Sequence, residues 1–511
     1  MRCRFRPWRW AILLWWVVMM AWLIRYEAYP AAFGARPAGY RPVLQDGVLT
    51  LDSWMRILYD NQPLGYSHTA ITTSEGDGES HYVVNNSLNL KLNLMGATQR
   101  VHVNTEALLD SLYRLSRFTF RLQSSEYIME TSGERRSGDR FDVCVRTRAA
   151  KQRFEVRIPD DAVIYSPMTE IAVAKLQPGE SLRLRTFDPT TLSVQTLAVE
   201  ALRRESITLA GARHPATVLA TEYHGARILS WIDPSGLMLR QQTPFGWVME
   251  RCTIEEAFVA LRDAGAAVDI LRHLAVRCRG TIPEPRGATR LRLVLSGVQF
   301  NRADLESARQ QVLRLDETEA EILVTSRGAD AGPGEPLSVQ ERRMYLAASR
   351  ALQSDHADIR RTAERITRGA RSDNKKADAI LDWVFANLEK APTVSIPSAL
   401  DVLTTRRGDC NEHTYLFVAL ARAAGLPAAV RVGIAYAHGA FYYHAWPAVH
   451  IGRWVEMDPT WGQKRVDATH VGLLEGELVD QLSLLKMIGN LEVEVVPGET
   501  VPRKVEKHDP D

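Results

Sequence analysis

Two periods divide this chain. From about Asp52 to Val259, apolar residues recur at every second position in short runs. LNLKLNL (Leu88–Leu94) alternates strictly, and so do Phe118, Phe120 and Leu122 in RFTFRLQ. Alternation sends one face of a strand into a core and the other towards solvent. Asp233-Pro234-Ser235-Gly236 lies between two such runs and reads as a tight reversal. Many strands joined by short turns predict an antiparallel meander or half-barrel over residues 40–265. A second β-rich segment, 266–335, contains TRLRLVLSGVQF (Thr289–Phe300) and EILVTS. It ends in RGADAGPGEP (Arg327–Pro336), whose glycines, prolines and aspartates predict a linker.

Beyond that linker the period changes to that of a helix. In SDNKKADAILDWVFANLEK, Ile380, Trp383, Val384 and Leu388 fall at helical spacing behind a cap at Ser372 or Asp373. Ser398 and Asp401 make a capping pair for a short helix that ends before Gly408. The next stretch, RRGDCNEHTYLFVALARAAGLP (Arg406–Pro427), predicts a helix with Asp409 near its N-cap and Gly425 just past its end. Cys410 then lies in the first turn, where unpaired N–H groups and the macrodipole favour an anion such as a thiolate. AAVRVGIAYA (Ala428–Ala437) and FYYHAWPAVHIGRWVEMDPTWG (Phe441–Gly462) return to strand, with a reversal at IGRW. His444 and Asp458 are each seven residues from Ile451. A hairpin turning there brings them opposite or diagonal, about 4.5–8 Å apart and within reach of an imidazole–carboxylate hydrogen bond. The class is α+β, with residues 336–511 as the mixed domain.

The N-terminus adds a membrane. Arg2, Arg4, Arg6 and Arg9 precede the uniformly apolar Trp10–Ile24, and Arg25 follows it. That run spans roughly 22 Å as a helix, short of a ~30 Å hydrocarbon core. Trp8 and Tyr26 suit the interfaces, and Arg9 and Arg25 can snorkel to lengthen the span. Residues 1–35 therefore read as an anchor. A cleaved signal peptide is the competing reading, with Ala32-Phe33-Gly34 as a distant cleavage candidate. The basic flank keeps the N-terminus in the cytoplasm and puts the body outside it, as expected of a single-pass membrane protein.

Charge narrows the partners. Five arginines within residues 1–25 exceed the whole chain's net charge of +2, so the remainder is net negative. Nucleic acid is excluded as the main partner. No phosphate-binding loop, dinucleotide fingerprint, H-E-x-x-H or EF-hand loop is present. Cys3, Cys144, Cys252, Cys278 and Cys410 form no C-x-x-C pair, and Cys144 with Cys252 could form a disulfide that nothing in the spacing requires.

The Gly408-Asp409-Cys410 opening, Arg422-x-x-Gly425-Leu426-Pro427, His444-Ala445-Trp446 and Asp458-Pro459-Thr460 together resemble the transglutaminase-like superfamily of papain-like folds, over about Lys375–Val471. DATHVGLLEG, further on, resembles bacterial members. The resemblance implies Cys410 as nucleophile, His444 as base and Asp458 as its orienter. It also implies a thiol enzyme that acts on amide bonds of a protein or peptide through an acyl-enzyme, by hydrolysis or transglutamination. No cofactor or metal is called for, because the calcium of animal members has no visible loop here. The rival expectation is a peptide- or envelope-protein-binding module that uses the same fold without catalysis. His413 competes as base from the helix of Cys410. His438 and His450 could join His444 at a metal. Trp446, Trp454 and Trp461 read as packing or groove walls, and Trp383 as helix core.

Overall fold

A computed structural model describes residues 51–76, 79–110, 114–164, 176–265, 269–270, 274–326, 334–497 and 501–502. The apolar run Trp10–Ile24 and linker residues 327–333 lie outside these. Among the described residues no helix is long and apolar enough to cross a membrane.

The alternating half of the chain forms one sheet of fifteen strands. They are β1 (Leu51–Tyr59), β2 (Gln62–Gly76), β3 (Glu79–Leu94), β4 (Ala97–Leu109), β5 (Leu115–Gln123), β6 (Ile128–Ser137), β7 (Arg140–Thr147), β8 (Lys151–Arg157), β9 (Ala162–Ile164), β10 (Ser181–Asp188), β11 (Ser193–Leu209), β12 (Ala212–Tyr223), β13 (Ala226–Ile232), β14 (Met238–Gln242) and β15 (Trp247–Arg251). The order is β8 through β1, then β15 back through β9, so the seam is the antiparallel β1–β15 pair. Only β9 and β10 run parallel within it. Leu90, Leu92 and Leu94, like Phe118, Phe120 and Leu122, go to the buried face, as their alternation requires. The Asp233 turn joins β13 to β14, and its carboxylate accepts from the backbone N–H groups of Ser235 and Leu237 at 2.9 and 3.0 Å. Cys144 and Cys252 are free thiols.

The second β-rich segment supplies β16 (Arg277–Arg279), β17 (Ala288–Ser296), β18 (Gln310–Leu315) and β19 (Glu319–Thr325), joined by a late strand, Glu492–Val495, in one sheet. Leu291, Leu293, Leu295, Ile322 and Val324 share a single hydrophobic core with the helices and strands of the C-terminal half. Four helices there matter to the site: α1 (Ala357–Thr367), α2 (Asp373–Asn387), α3 (Ala399–Thr405) and α4 (Cys410–Ala423). Ser372 caps α2 and Ser398 caps α3 through their hydroxyls. The third sheet has the order β24 (Trp454–Glu456), β23 (Ala440–His450), β22 (Ala428–Ala437), β25 (His470–Glu475). Between α2 and α4 run β20 (Glu389–Lys390) and β21 (Arg407–Gly408), which pair in parallel.

The large sheet holds the approach to α4. Val394 and Ile396, from the loop between β20 and α3, pack against its core. The side chain of Gln99 donates to the Pro392 carbonyl at 3.2 Å, the Ala149 N–H donates to Asp401 at 3.0 Å, and Arg407 pairs with Glu126 at 3.1 Å.

Candidate active site

Cys410 is the first residue of α4, because the residues before it fix the helix start. Asp409 is the N-cap: its carboxylate accepts from the Asn411 N–H at 3.0 Å, and its own N–H donates to Glu412 at 2.8 Å. Gly408 carries no Cβ, and Glu412 uses the room: a Cβ there would sit 2.2 Å from the Glu412 Cβ. The Glu412 carboxylate also takes a hydrogen bond from the Ser395 hydroxyl. From Glu412 to Ala421 every residue of α4 is buried, so tertiary packing holds the helix that carries the thiol. Gly425 follows the helix in the left-handed region, φ +82°.

β23 carries the next residues. Its pairing with β24 sets His450 opposite Trp454 and Ala448 opposite Glu456, which centres the reversal on Gly452, one residue later than the spacing about Ile451 suggested. Asp458 therefore lies just past the end of β24, opposite the level of Trp446, and reaches His444 on the diagonal. A local turn holds it there: its N–H and carbonyl pair with those of Gln463 at 2.8 Å each. His444 Nε2 lies 2.9 Å from Asp458 Oδ2, with His444 7% and Asp458 0% exposed. Asp458 Oδ1 accepts from the N–H groups of Thr460 and Trp461 at 2.7 and 3.1 Å. The Trp461 ring stacks on His444 at 4.5 Å and 13°. Cys410 meets the same strand one residue on, where the Ala445 N–H lies near enough to its sulfur to favour the thiolate.

The carboxylate has a second imidazole. His470, at the start of β25, places Nε2 3.2 Å from the same Asp458 Oδ2 and Nδ1 3.3 Å from Asp467 Oδ1. Asp467 in turn accepts from Thr469 N–H at 2.9 Å, from Arg286 at 2.7 Å and from the Gln463 side chain at 2.8 Å. Trp446 Nε1 donates to Glu456 at 2.7 Å, and Glu456 pairs with Arg309 at 2.9 Å in the interior. Arg309 also donates to the Asp467 carbonyl at 2.8 Å. Gln310 bonds both backbone groups of Gly472, at 2.9 and 3.0 Å. The second β-rich segment thus buttresses β25 and the turn behind it.

These contacts set the charges. Burial alone raises the Asp458 carboxyl, but His444 and His470 outweigh it and hold it well below the usual carboxylate range. Burial likewise opposes the charge on Asp467, which His470, Thr469 and Arg286 hold down. Burial disfavours a charged His470, yet its two carboxylate partners raise its pKa. The Cys410 thiol departs from the expectation of a helix N-terminus that favours thiolate. Burial first, then the Asp409, Glu412 and Asp458 carboxylates, push it well up, and only the Ala445 N–H works the other way.

The competing residues fall elsewhere. His413 is fully buried inside α4, its Nδ1 2.7 Å from the Asp409 carbonyl, and burial lowers its pKa. His438 occupies the β22–β23 turn at φ 49°, and His450 lies 3.4 Å from the Glu335 carbonyl, neither beside His444. Among the described residues the group that could hold a metal is His444, Asp458 and His470, with ligand atoms within 4.8 Å of one another. The donor set does not fit an ion. Both Nε2 atoms already face one carboxylate oxygen of Asp458, and His470 Nδ1 faces Asp467, so hydrogen bonds within the group and to its neighbour already engage these atoms. Trp446 is fully buried and Trp454 meets Tyr345 edge to face at 4.7 Å. Trp383 is only partly buried and carries the Arg406 guanidinium over its ring at 4.3 Å.

A cysteine opening a buried helix, packed on an antiparallel sheet that brings a histidine and an aspartate into hydrogen-bond contact, is the arrangement of a papain-like class. Residues 360–459 match the family model of the transglutaminase-like superfamily and form a transglutaminase-like domain. No curated protein matches the chain. Among solved structures, one described as a "putative cysteine protease" from Cytophaga hutchinsonii is 20% identical, covers 43% of this chain and 96% of that one, and has a TM-score of 0.31. The periplasmic domain of TgpA from Pseudomonas aeruginosa, bound to ethylmercury, is 18% identical over 34% of this chain and 73% of that one, with a TM-score of 0.24. A "putative protease" from Parabacteroides distasonis is 12% identical over 84% and 69%, with a TM-score of 0.21.

Proposed function

We propose that this chain is a thiol enzyme acting on amide bonds of a protein or peptide, with Cys410 as nucleophile, His444 as base and Asp458 as orienter. One observation carries the reading: His444 Nε2 faces Asp458 Oδ2 at 2.9 Å. A carboxylate only accepts, so Nε2 carries the hydrogen and Nδ1 is left as the basic nitrogen. The raised thiol then gives its proton to Nδ1 as sulfur attacks the amide carbonyl carbon. The C–N bond breaks as the same proton passes to the leaving amine, which leaves an acyl-enzyme. Water or a second amine, deprotonated by His444, releases the acyl group and regenerates the thiol. Asp458 stabilises the imidazolium between these steps. The enzyme is anchored through residues 8–26 in a bacterial inner membrane, with its body outside the cytoplasm.

The same burial that raises the thiol favours a second reading, a binding module for envelope peptides. Proteomics separates the two. Cells carrying the wild type and cells carrying Cys410→Ala are compared for new protein termini and for new amide cross-links. The enzyme reading expects products that require Cys410. Identical proteomes, with an intact Cys410→Ala protein still retaining peptide partners, favour the module.

A further inference from the structure

We infer that His470 is a positioning residue for this site, a buried imidazolium that shares Asp458 with His444 and sets the pH at which the Cys410–His444 pair works. The inference deepens the proposed function and rests on it.

The geometry starts from what each partner can do. Ionised carboxylates only accept, and His470 faces one at each nitrogen, Asp458 at 3.2 Å and Asp467 at 3.3 Å. Two acceptors require two donors, and an imidazole with two N–H groups is a cation. His470 is 0% exposed, and the carboxylates face its nitrogens directly. The other charged groups around it balance locally. Arg286 is engaged with Asp467, and Arg309 with Glu456. The direction of the His470 pKa, raised by its two carboxylates against burial, agrees.

Two consequences follow for His444. The first is orientation: with Oδ1 fixed by the Thr460 and Trp461 N–H groups and Oδ2 held by His470, the carboxylate presents Oδ2 to His444 without freedom to rotate. The second is charge. The His470 ring centre lies 5.7 Å from that of His444. A lone buried Asp458 would exert an unbalanced negative pull on His444, 2.9 Å away. A cation on the same oxygen offsets that pull. Removing a positive charge makes every proton loss of the Cys410–His444 pair harder, whichever member holds the proton.

His470→Gln keeps an N–H for Asp458 and removes the charge. Carbamidomethylation of Cys410 by iodoacetamide, followed by mass spectrometry against pH on the full-length protein, reads the pair without a substrate. The expected result is an acid limb displaced upwards by about one to two pH units, the scale of one charge at this separation in a partly screened interior. A lost hydrogen bond or packing contact alone would lower the rate without moving the limb. Wild-type protein labelled with 15N-histidine supplies a readout that needs no variant to fold: one imidazole protonated on both nitrogens must persist at pH 8. Full neutralisation of every histidine by pH 8, or a His470→Gln profile that superimposes on wild type, overturns the inference and leaves the proposed function standing. Alkylation of wild-type Cys410 that ignores His444→Ala overturns the proposed function, and the inference with it, even where the imidazolium is seen.

Discussion

At the scale of single residues, the proposed chemistry rests on Cys410, His444 and Asp458, and the charge balance on His470, Asp467 and their partners. Cys410→Ala keeps the helix start, since Asp409 and Glu412 form the cap. Turnover should vanish while circular dichroism and the thermal midpoint stay within a few degrees of wild type. Retained turnover would exclude Cys410 as nucleophile. The buried charges also predict a pH dependence of stability. Asp458 and Asp467 titrate below their unfolded values, so their stabilisation is present above about pH 4 and is lost as pH falls through the lowered values. His470 titrates above its unfolded value, so its stabilisation is complete below about pH 6.5 and is lost as pH rises through the raised value. Asp467→Asn breaks this cluster on one side and should cost about 3–5 kcal/mol at neutral pH. Urea unfolding at pH 7 and pH 3 measures it, and a gap that widens towards acid would contradict the assignment. His470 itself was hard to read from sequence. It stands in DATHVGLLEG, but its partner Asp458 is twelve residues back across a turn, and no local period links them.

At the scale of elements, the helix start and the hairpin were legible because local rules decide them. Capping residues, Gly408 and Gly425 fix the ends of α4, and alternation fixes β23. The hairpin centre was one residue off, because the reversal is set by the β23–β24 register and Gly452 at φ +83°, not by the midpoint between His444 and Asp458. Strand packing around the site makes its own prediction. Gly433 of β22 lies opposite both His444 and Gly472, and a Cβ there would meet the Val471 carbonyl oxygen at 1.9 Å. Gly433→Ala must push β25 away, and His470 travels with β25. We expect a loss of about 2–4 kcal/mol, with a weakened His444–Asp458–His470 cluster. A melt equal to wild type would show that β25 is free to shift at no cost.

At the scale of the whole molecule, the α+β division was legible from the change of period, but the assembly was not. A fifteen-stranded sheet depends on pairing β1 with β15, a contact between distant segments that alternation cannot specify. Nor did the sequence indicate that residues 277–325 share a core with the C-terminal half and deliver Arg286, Arg309 and Gln310 to the site. Those contacts depend on side chains that meet only in three dimensions. Topology has its own test. An alkaline phosphatase fused after residue 40 should be active, since that reporter folds only outside the cytoplasm. Activity confined to a cytoplasmic reporter would reverse the orientation, and a soluble form beginning near Ala35 would favour a cleaved signal over an anchor.

The most direct test of the central claim is the rate at which iodoacetamide alkylates Cys410 at pH 7, resolved by mass spectrometry, in wild type, Asp458→Asn, His444→Ala and His413→Ala. Burial and neighbouring carboxylates push the thiol pKa up, and in the proposed relay His444 supplies the base that makes it reactive at neutral pH. The account predicts a wild-type rate about 10²-fold above His444→Ala, the scale of general-base assistance, with Asp458→Asn between them and His413→Ala unchanged. Equal rates in wild type and His444→Ala, or a loss that follows His413 instead, would contradict it.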